Sequence, residues 1–119
     1  MSSATRAVPP SFGALVQAFF AEHLTQHRAM SPRTVAAYRD AFMLFLGFAQ
    51  TRLTKSPAAM HMTDITPELI LAFLDHLEHE RHNTARSRNA RLAGLRAFLK
   101  FAAHRDLASL HVIERCLGV

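Results

Sequence analysis

The chain has 119 residues, enough for one domain around a single core and too few for a binding module joined to a separate enzyme domain of ordinary size. Half of it is hydrophobic, with four Gly, five Pro and a single Cys, which excludes a wholly disordered chain and a disulfide-stapled scaffold. Fourteen Lys and Arg against nine Asp and Glu leave a formal charge of +5, which favours nucleic acid or an anionic surface as partner.

Residues 1–11 (MSSATRAVPPS) combine small residues with a Pro pair and no apolar period, so they read as a flexible arm ahead of a folded domain over 12–119. No stretch approaches the ~20 apolar residues of a membrane span, and the first ten residues lack the apolar segment of a secretory signal. The expected location is therefore cytoplasmic, with no membrane partner. Phe12, Leu15, Val16, Phe19 and Leu24 fall on one face of a first helix that should end near His27. Ser31-Pro32-Arg33-Thr34 then reads as a helix start: the serine can accept a bond from a free backbone N–H, and proline at the first helical position sacrifices no donor. Val35, Tyr38, Phe42, Phe45, Leu46 and Ala49 form the buried stripe of this second helix, which should run to about Arg52. Lys55-Ser56-Pro57 breaks it, and His61 to Ile65 reads as a linker.

Thr66-Pro67-Glu68 repeats the start chemistry, and Leu69, Phe73 and Leu77 mark a third helix from Pro67 to about Arg81. A fourth begins at Asn83 or Thr84 and continues to about His104, its core side marked by Leu92, Leu95, Leu99 and Ala102. Residues 109–117 offer a short fifth helix, and the lone Cys116 within it reads as a small apolar residue. No segment alternates with period two and no tight hairpin signal occurs, so the fold class is all-α with four or five helices.

The fourth helix is the most informative element. Seven of the fourteen basic residues lie between Arg81 and Arg105, with no Asp or Glu among them. At 100° per residue, Arg86, Asn89, Ala93, Lys100 and His104 fall opposite the Leu95 stripe, whereas Arg88 and Arg91 project on its side. Two arginines cannot lie unpaired in an apolar core. The first two turns are therefore expected to run past the bundle, presenting Arg86, Ser87, Arg88, Asn89 and Arg91 as a basic and polar end. Such an end can enter the major groove of duplex DNA, where Arg pairs with guanine edges, Asn with adenine edges, and hydroxyls and free N–H groups meet phosphates. Arg33 and Thr34 in the first turn of the second helix, with Arg39 farther along, form a second, smaller patch of the same chemistry. The plainer alternative is a solvated charged face that keeps the domain soluble.

His76, His79 and His82 recur every three residues, but their order is not the zinc signature H-E-x-x-H and no Cys lies near, so no metal is expected. The acid-rich third helix (Asp75, Glu78, Glu80) would be repelled by phosphates and is placed away from the DNA. Tyr38, the sole tyrosine, lies on a buried stripe with its hydroxyl outward. With no nucleophile surrounded by helpers, no catalytic residue, cofactor or small-molecule substrate is assigned.

Ser31-Pro32-Arg33-Thr34 followed by Tyr38-Arg39-Asp40 and Phe45, and then the run from Asn83 to Leu92 followed by Leu95-Arg96-Ala97-Phe98, resemble the N-terminal core-binding, or SAM-like, domain of tyrosine recombinases. This is the integrase family with Xer-like and phage members. The resemblance covers about Phe12 to Val119. Phe73-Leu74-Asp75-His76-Leu77-Glu78 and the tail from Val112 to Leu117 look most similar to integrases associated with transposable elements. The resemblance implies an orthogonal bundle forming one half of a C-shaped clamp, its second and fourth helices set against the major groove of a recombination half-site. Arg33 and Thr34 would contact the DNA backbone, and Arg86, Ser87, Asn89 and Arg91 would lie at the groove. Arg39, Arg88 and Lys100 complete the basic set expected to meet DNA. In such proteins a C-terminal domain cuts and rejoins DNA through a covalent phosphotyrosine. This chain stops about where the interdomain linker should begin, so it is expected to bind duplex DNA, with other recombinase protomers as partners, and not to cleave it. A helical protein-interaction domain is the main rival reading, and an enzyme in its own right is the third.

Overall fold

The computed structural model describes residues 11–24, 31–79, 82 and 84–119. Most of the expected arm, the end of the first helix beyond Leu24, and Glu80, Arg81 and Asn83 lie outside them. Ser11 opens the first helix, α1 (Phe12–Ala18), its hydroxyl accepting the Ala14 N–H at 3.0 Å. Phe12, Leu15, Phe19 and Leu24 are buried. From Phe19 to Leu24 is a step of five residues, longer than an α turn, and the chain absorbs it by continuing α1 as a π turn over Phe19–His23.

The second helix, α2 (Pro32–Leu53), starts as its sequence dictates: the Ser31 hydroxyl accepts the Thr34 N–H at 3.1 Å and Pro32 takes the first position. It ends on Thr54, whose φ of 53° puts a β-branched residue in the left-handed region where glycine is usual. The connection to the third helix is two single 3₁₀ turns, Pro57–Ala59 and Met62–Asp64, which bury Met60, Met62 and Ile65. Asp64 holds it in place by accepting the His61 N–H at 2.9 Å and the Lys55 ammonium at 3.1 Å. Burial pushes the Asp64 carboxyl upward, but these two donors outweigh it and hold the group below the ordinary carboxylate value.

The third helix, α3 (Pro67–His79), is opened by the Thr66 hydroxyl, which accepts the Leu69 N–H at 3.1 Å, and it buries Leu69, Ile70, Phe73 and Leu77. The fourth, α4 (Ala85–Arg105), is capped by Thr84 and packs against every other helix. That central position explains why its buried set (Gly94, Leu95, Phe98, Leu99, Phe101, Ala102) is broader than one stripe. Phe98 is the hub, its ring 4.6 Å from Phe42, 5.5 Å from Phe19 and 6.0 Å from Phe12. A 3₁₀ turn, Leu107–Ser109, leads to α5 (Leu110–Leu117). There the Cys116 thiol is buried, donates to the Ile65 carbonyl at 3.2 Å, and is pushed above its ordinary value by burial, as suits a packing residue.

The expected all-α fold is present, with five helices and no strand among the described residues. No helix among them is long and apolar enough to cross a membrane.

Candidate nucleic-acid interface

The placement of α4 against α2 is set at Gly94. A Cβ there would sit 3.1 Å from the Ala41 Cβ, tighter than an ordinary contact, and 3.5 Å from the Tyr38 Cα, so the two helices touch backbone to side chain with little room for an added methyl. Gly94 is nine residues beyond Ala85, and Ala41 nine beyond Pro32. At 1.5 Å per residue each helix start is ~14 Å from the crossing, which keeps the two starts within roughly 30 Å of one another. That is less than the ~34 Å of one duplex turn.

Both starts present polar groups. At α2, Arg33 is exposed, Thr34 is half-buried, and the Ser31 and Thr34 hydroxyls lie 3.0 Å apart. At α4, the Thr84 hydroxyl accepts the Ser87 N–H at 3.1 Å, and Arg86, Ser87 and Asn89 are exposed. Arg33 and Arg86 carry no ion pair among the described residues. Arg39 is exposed, its guanidinium 5.9 Å from the centre of the Phe20 ring.

Arg88 and Arg91 correct the expectation that the first two turns of α4 protrude as a unit. Both are half-buried. Arg88 turns onto α3 and donates to the Glu78 carboxylate at 2.6 Å, with side chains 32% and 39% exposed. The Arg91 Nε is shielded from solvent and has no hydrogen-bond partner. The reason is that the last turn of α3 lies beside the first turns of α4. Glu78 of the acid-rich third helix thus lies against the basic run of α4. The one-sign run in sequence is thus partly neutralised in space: Arg105 has Glu22 at 3.8 Å and lies over the Phe101 ring at 4.7 Å. Arg96 is used structurally, its guanidinium donating to the Leu117 carbonyl at the end of α5.

Farther along α4 lies an open groove of about 600 Å³ between the π turn, Tyr38 of α2 and the second half of α4. It is lined by Ala93, Ala97 and Phe101 together with His23, Arg96, Lys100, His104 and Arg105. Lys100 and His104 are exposed, as their place opposite the Leu95 stripe predicts, and the half-buried Tyr38 faces this groove. The gathering of His23 with Lys100 was not legible, because His23 is brought there by the π turn.

The histidine repeat separates. His76 lies against Phe48, ring centres 5.0 Å apart, while the exposed His79 approaches the Asp75 carboxylate at 2.9 Å and its backbone carbonyl at 3.1 Å. Those contacts raise its pKa. His82 is exposed at a φ of 55°. Asp75, Glu78 and His79 bring ligand atoms within 4.8 Å of one another, but all three are exposed, and Glu78 already engages Arg88 and His79 engages Asp75.

Residues 17–106 match the family described as Phage integrase, N-terminal SAM-like domain. A protein of Sinorhizobium fredii (strain NBRC 101917 / NGR234), named as a candidate integrase/recombinase, y4rD, is 46% identical over 105 residues, 88% of this chain and 37% of its own length. A second from the same strain, likewise named and designated y4rC, is 38% identical over 109 residues, 92% of this chain and 33% of its own length. The chain thus spans about a third of the length of these relatives. No solved structure is significantly similar to it.

Proposed function

Because this chain belongs to the family of phage integrase N-terminal SAM-like domains, we propose that it binds double-stranded DNA as the core-binding part of a tyrosine-type site-specific recombinase. The observation that carries the reading is the pair of polar helix starts, exposed Arg33 and half-buried Thr34 on α2 and exposed Arg86, Ser87 and Asn89 on α4, held within roughly one duplex turn by the Gly94 crossing. Free N–H groups and hydroxyls at the starts suit phosphates, and Arg86 and Asn89 suit base edges. Arg39 adds positive charge on α2 and Arg91 supplies it from behind the first turn of α4, whereas Arg88 does so only when released from Glu78. Lys100 lies farther along the same helix. Strand cutting is assigned to the part of such relatives that this chain does not span.

Anisotropy of a labelled duplex titrated at two salt concentrations tests the reading. Binding should fall near the non-specific ~10⁻⁴ to 10⁻⁶ M range and weaken steeply with salt. No binding at low salt would refute it. The double variant Arg33→Ala/Arg86→Ala, both exposed, should weaken binding without lowering the melting temperature; an equal loss of both would assign these residues to folding. A second reading, a surface for further recombinase protomers or other proteins, is favoured by Leu107 and Leu110, which are 74% and 37% exposed. Sedimentation without DNA separates the two, since a stable self-associated species supports the protein contact.

A further inference from the structure

We propose that the groove beside the turn joining α4 to α5 is a guanidinium-binding site centred on Asp106, which takes an arginine side chain presented by a protein partner. The groove has a volume of about 420 Å³ and lies where the start of α1, the connection before α3 and the turn after α4 meet. Phe12, Met62, Asp106 and Ser109 are the buried residues that line it. Asp106 is 6% exposed, and its carboxylate has one hydrogen-bond partner among the described residues, the Ser109 hydroxyl, which donates to Oδ2 at 2.8 Å. It caps no backbone N–H, the usual employment of an aspartate ahead of a helical turn. No Lys, Arg or His nitrogen among the described residues lies within 4.0 Å of it. Among those residues the Arg91 Nε is the sole shielded side-chain nitrogen or oxygen without a partner, so Asp106 Oδ1, which also has none, is open to the groove. A carboxylate this buried, supported by a single neutral hydroxyl, lacks the cation that normally accompanies a buried charge.

The rest of the lining selects the cation. Phe12 and Met62 contribute apolar surface beside the carboxylate. A guanidinium is planar, weakly hydrated and able to fork onto a carboxylate, so it suits this combination better than the strongly hydrated ammonium of lysine. The exposed Ser11, His61 and Thr63 offer acceptors for its remaining N–H groups and would meet the segment that carries the arginine, contacts a small free cation cannot make. The same carboxylate repels phosphate, which excludes the DNA backbone as the occupant. From Arg86 to Asp106 is twenty residues, about 30 Å along α4, so a duplex at the helix starts leaves this end available to a protein. The site therefore stands independently of the DNA-binding reading.

The test uses the full chain with isotope-labelled Met and Ala methyl groups, followed by NMR. A blocked peptide, Gly-Ser-Arg-Ser-Gly, is titrated beside its lysine and citrulline counterparts and guanidinium chloride at matched millimolar concentrations. With the arginine peptide the Met62 and Ala108 methyl resonances should shift together, and the uncharged citrulline peptide should bind at least ~10-fold more weakly. Asp106→Asn keeps an acceptor for Ser109 and should weaken arginine-peptide binding by ~10-fold or more. If that variant does not fold, Ala108→Arg decides, since it sets a cation at an exposed position lining the groove and should likewise bind at least ~10-fold more weakly. Parent-like affinity in a folded variant, equal binding of the arginine and citrulline peptides, or shifts spread over every exposed acid would overturn the site. Equal binding of the lysine peptide would overturn the choice of guanidinium. A guanidinium ion binding as tightly as the arginine peptide would overturn the protein partner and support a site for small free cations.

Discussion

Gly94 offers the sharpest test of how α2 and α4 are held. In Gly94→Ala the added methyl meets the Ala41 Cβ at 3.1 Å, against the ~3.5 to 4.0 Å of relaxed carbon contacts, a shortfall of about 0.4 to 0.9 Å. Ala41 has no rotamer by which to move away, so the helices must part. Replacing glycine by alanine inside a helix gains ~1 kcal/mol of propensity, and overpacking costs ~1 to 3 kcal/mol. The single variant should therefore lose about 1 kcal/mol. Ala41→Gly alone forfeits ~1 kcal/mol of propensity and ~0.8 kcal/mol for a buried methyl, about 2 in all. The double variant moves the one methyl from α2 to α4, so the propensity changes cancel and the contact is restored. It should unfold within ~0.5 kcal/mol of the parent, where simple addition gives a loss of ~3 kcal/mol. Urea unfolding followed by circular dichroism at 25 °C measures all four corners. A Gly94→Ala variant stabilised by the full ~1 kcal/mol, or a double variant equal to the sum, would refute the close crossing.

Three other contacts have measurable consequences. Glu78→Gln releases the Arg88 guanidinium from a partly exposed ion pair, so duplex binding at low salt should tighten by about 1.5- to 5-fold, the span of a ~0.2 to 1 kcal/mol pair; unchanged or weaker binding would remove Arg88 from the interface. Arg96→Ala deletes the donor to the Leu117 carbonyl and should cost about 1 to 2 kcal/mol, with faster hydrogen exchange concentrated in α5; uniform exchange would contradict the local role. Asp64 has a folded pKa below its unfolded one, so its stabilisation is present above the ordinary carboxylate range near pH 4 and is lost as pH falls through the folded value. In Asp64→Asn the unfolding midpoint should therefore be lower at pH 7 and decline less between pH 5 and pH 3 than in the parent.

Much of this fold was legible because its boundaries are written in local chemistry. Ser31-Pro32, Thr66-Pro67 and Thr84 each place a side-chain acceptor before a helix, and all three caps form. Leu69, Phe73 and Leu77 are buried as their spacing requires. Phe98 escaped, because the stripe was centred on Leu95 and a helix surrounded by four others has no single buried face. At the candidate interface, the exposure of Arg86, Asn89 and Lys100 could be read from helical angle alone. The pairing of Glu78 with Arg88 could not, since the two stand ten positions apart on different helices, and the packing of those helices sets which face meets which. Nor could the structural use of Arg96, whose partner is a backbone carbonyl twenty-one residues away.

The π turn over Phe19–His23 behaves as one residue added to a helix while the phase of the downstream chain is kept. Removing Ala21 would let the segment close into ordinary α geometry, with Leu24 then four residues beyond Phe19. Phe12, Leu15, Phe19 and Leu24 would fall at steps of three, four and four and still face the core together. The first helix is therefore a place where the chain can lose this one residue more readily than it can gain another. A relative lacking that one residue should keep its apolar positions in the same phase on both sides of the gap.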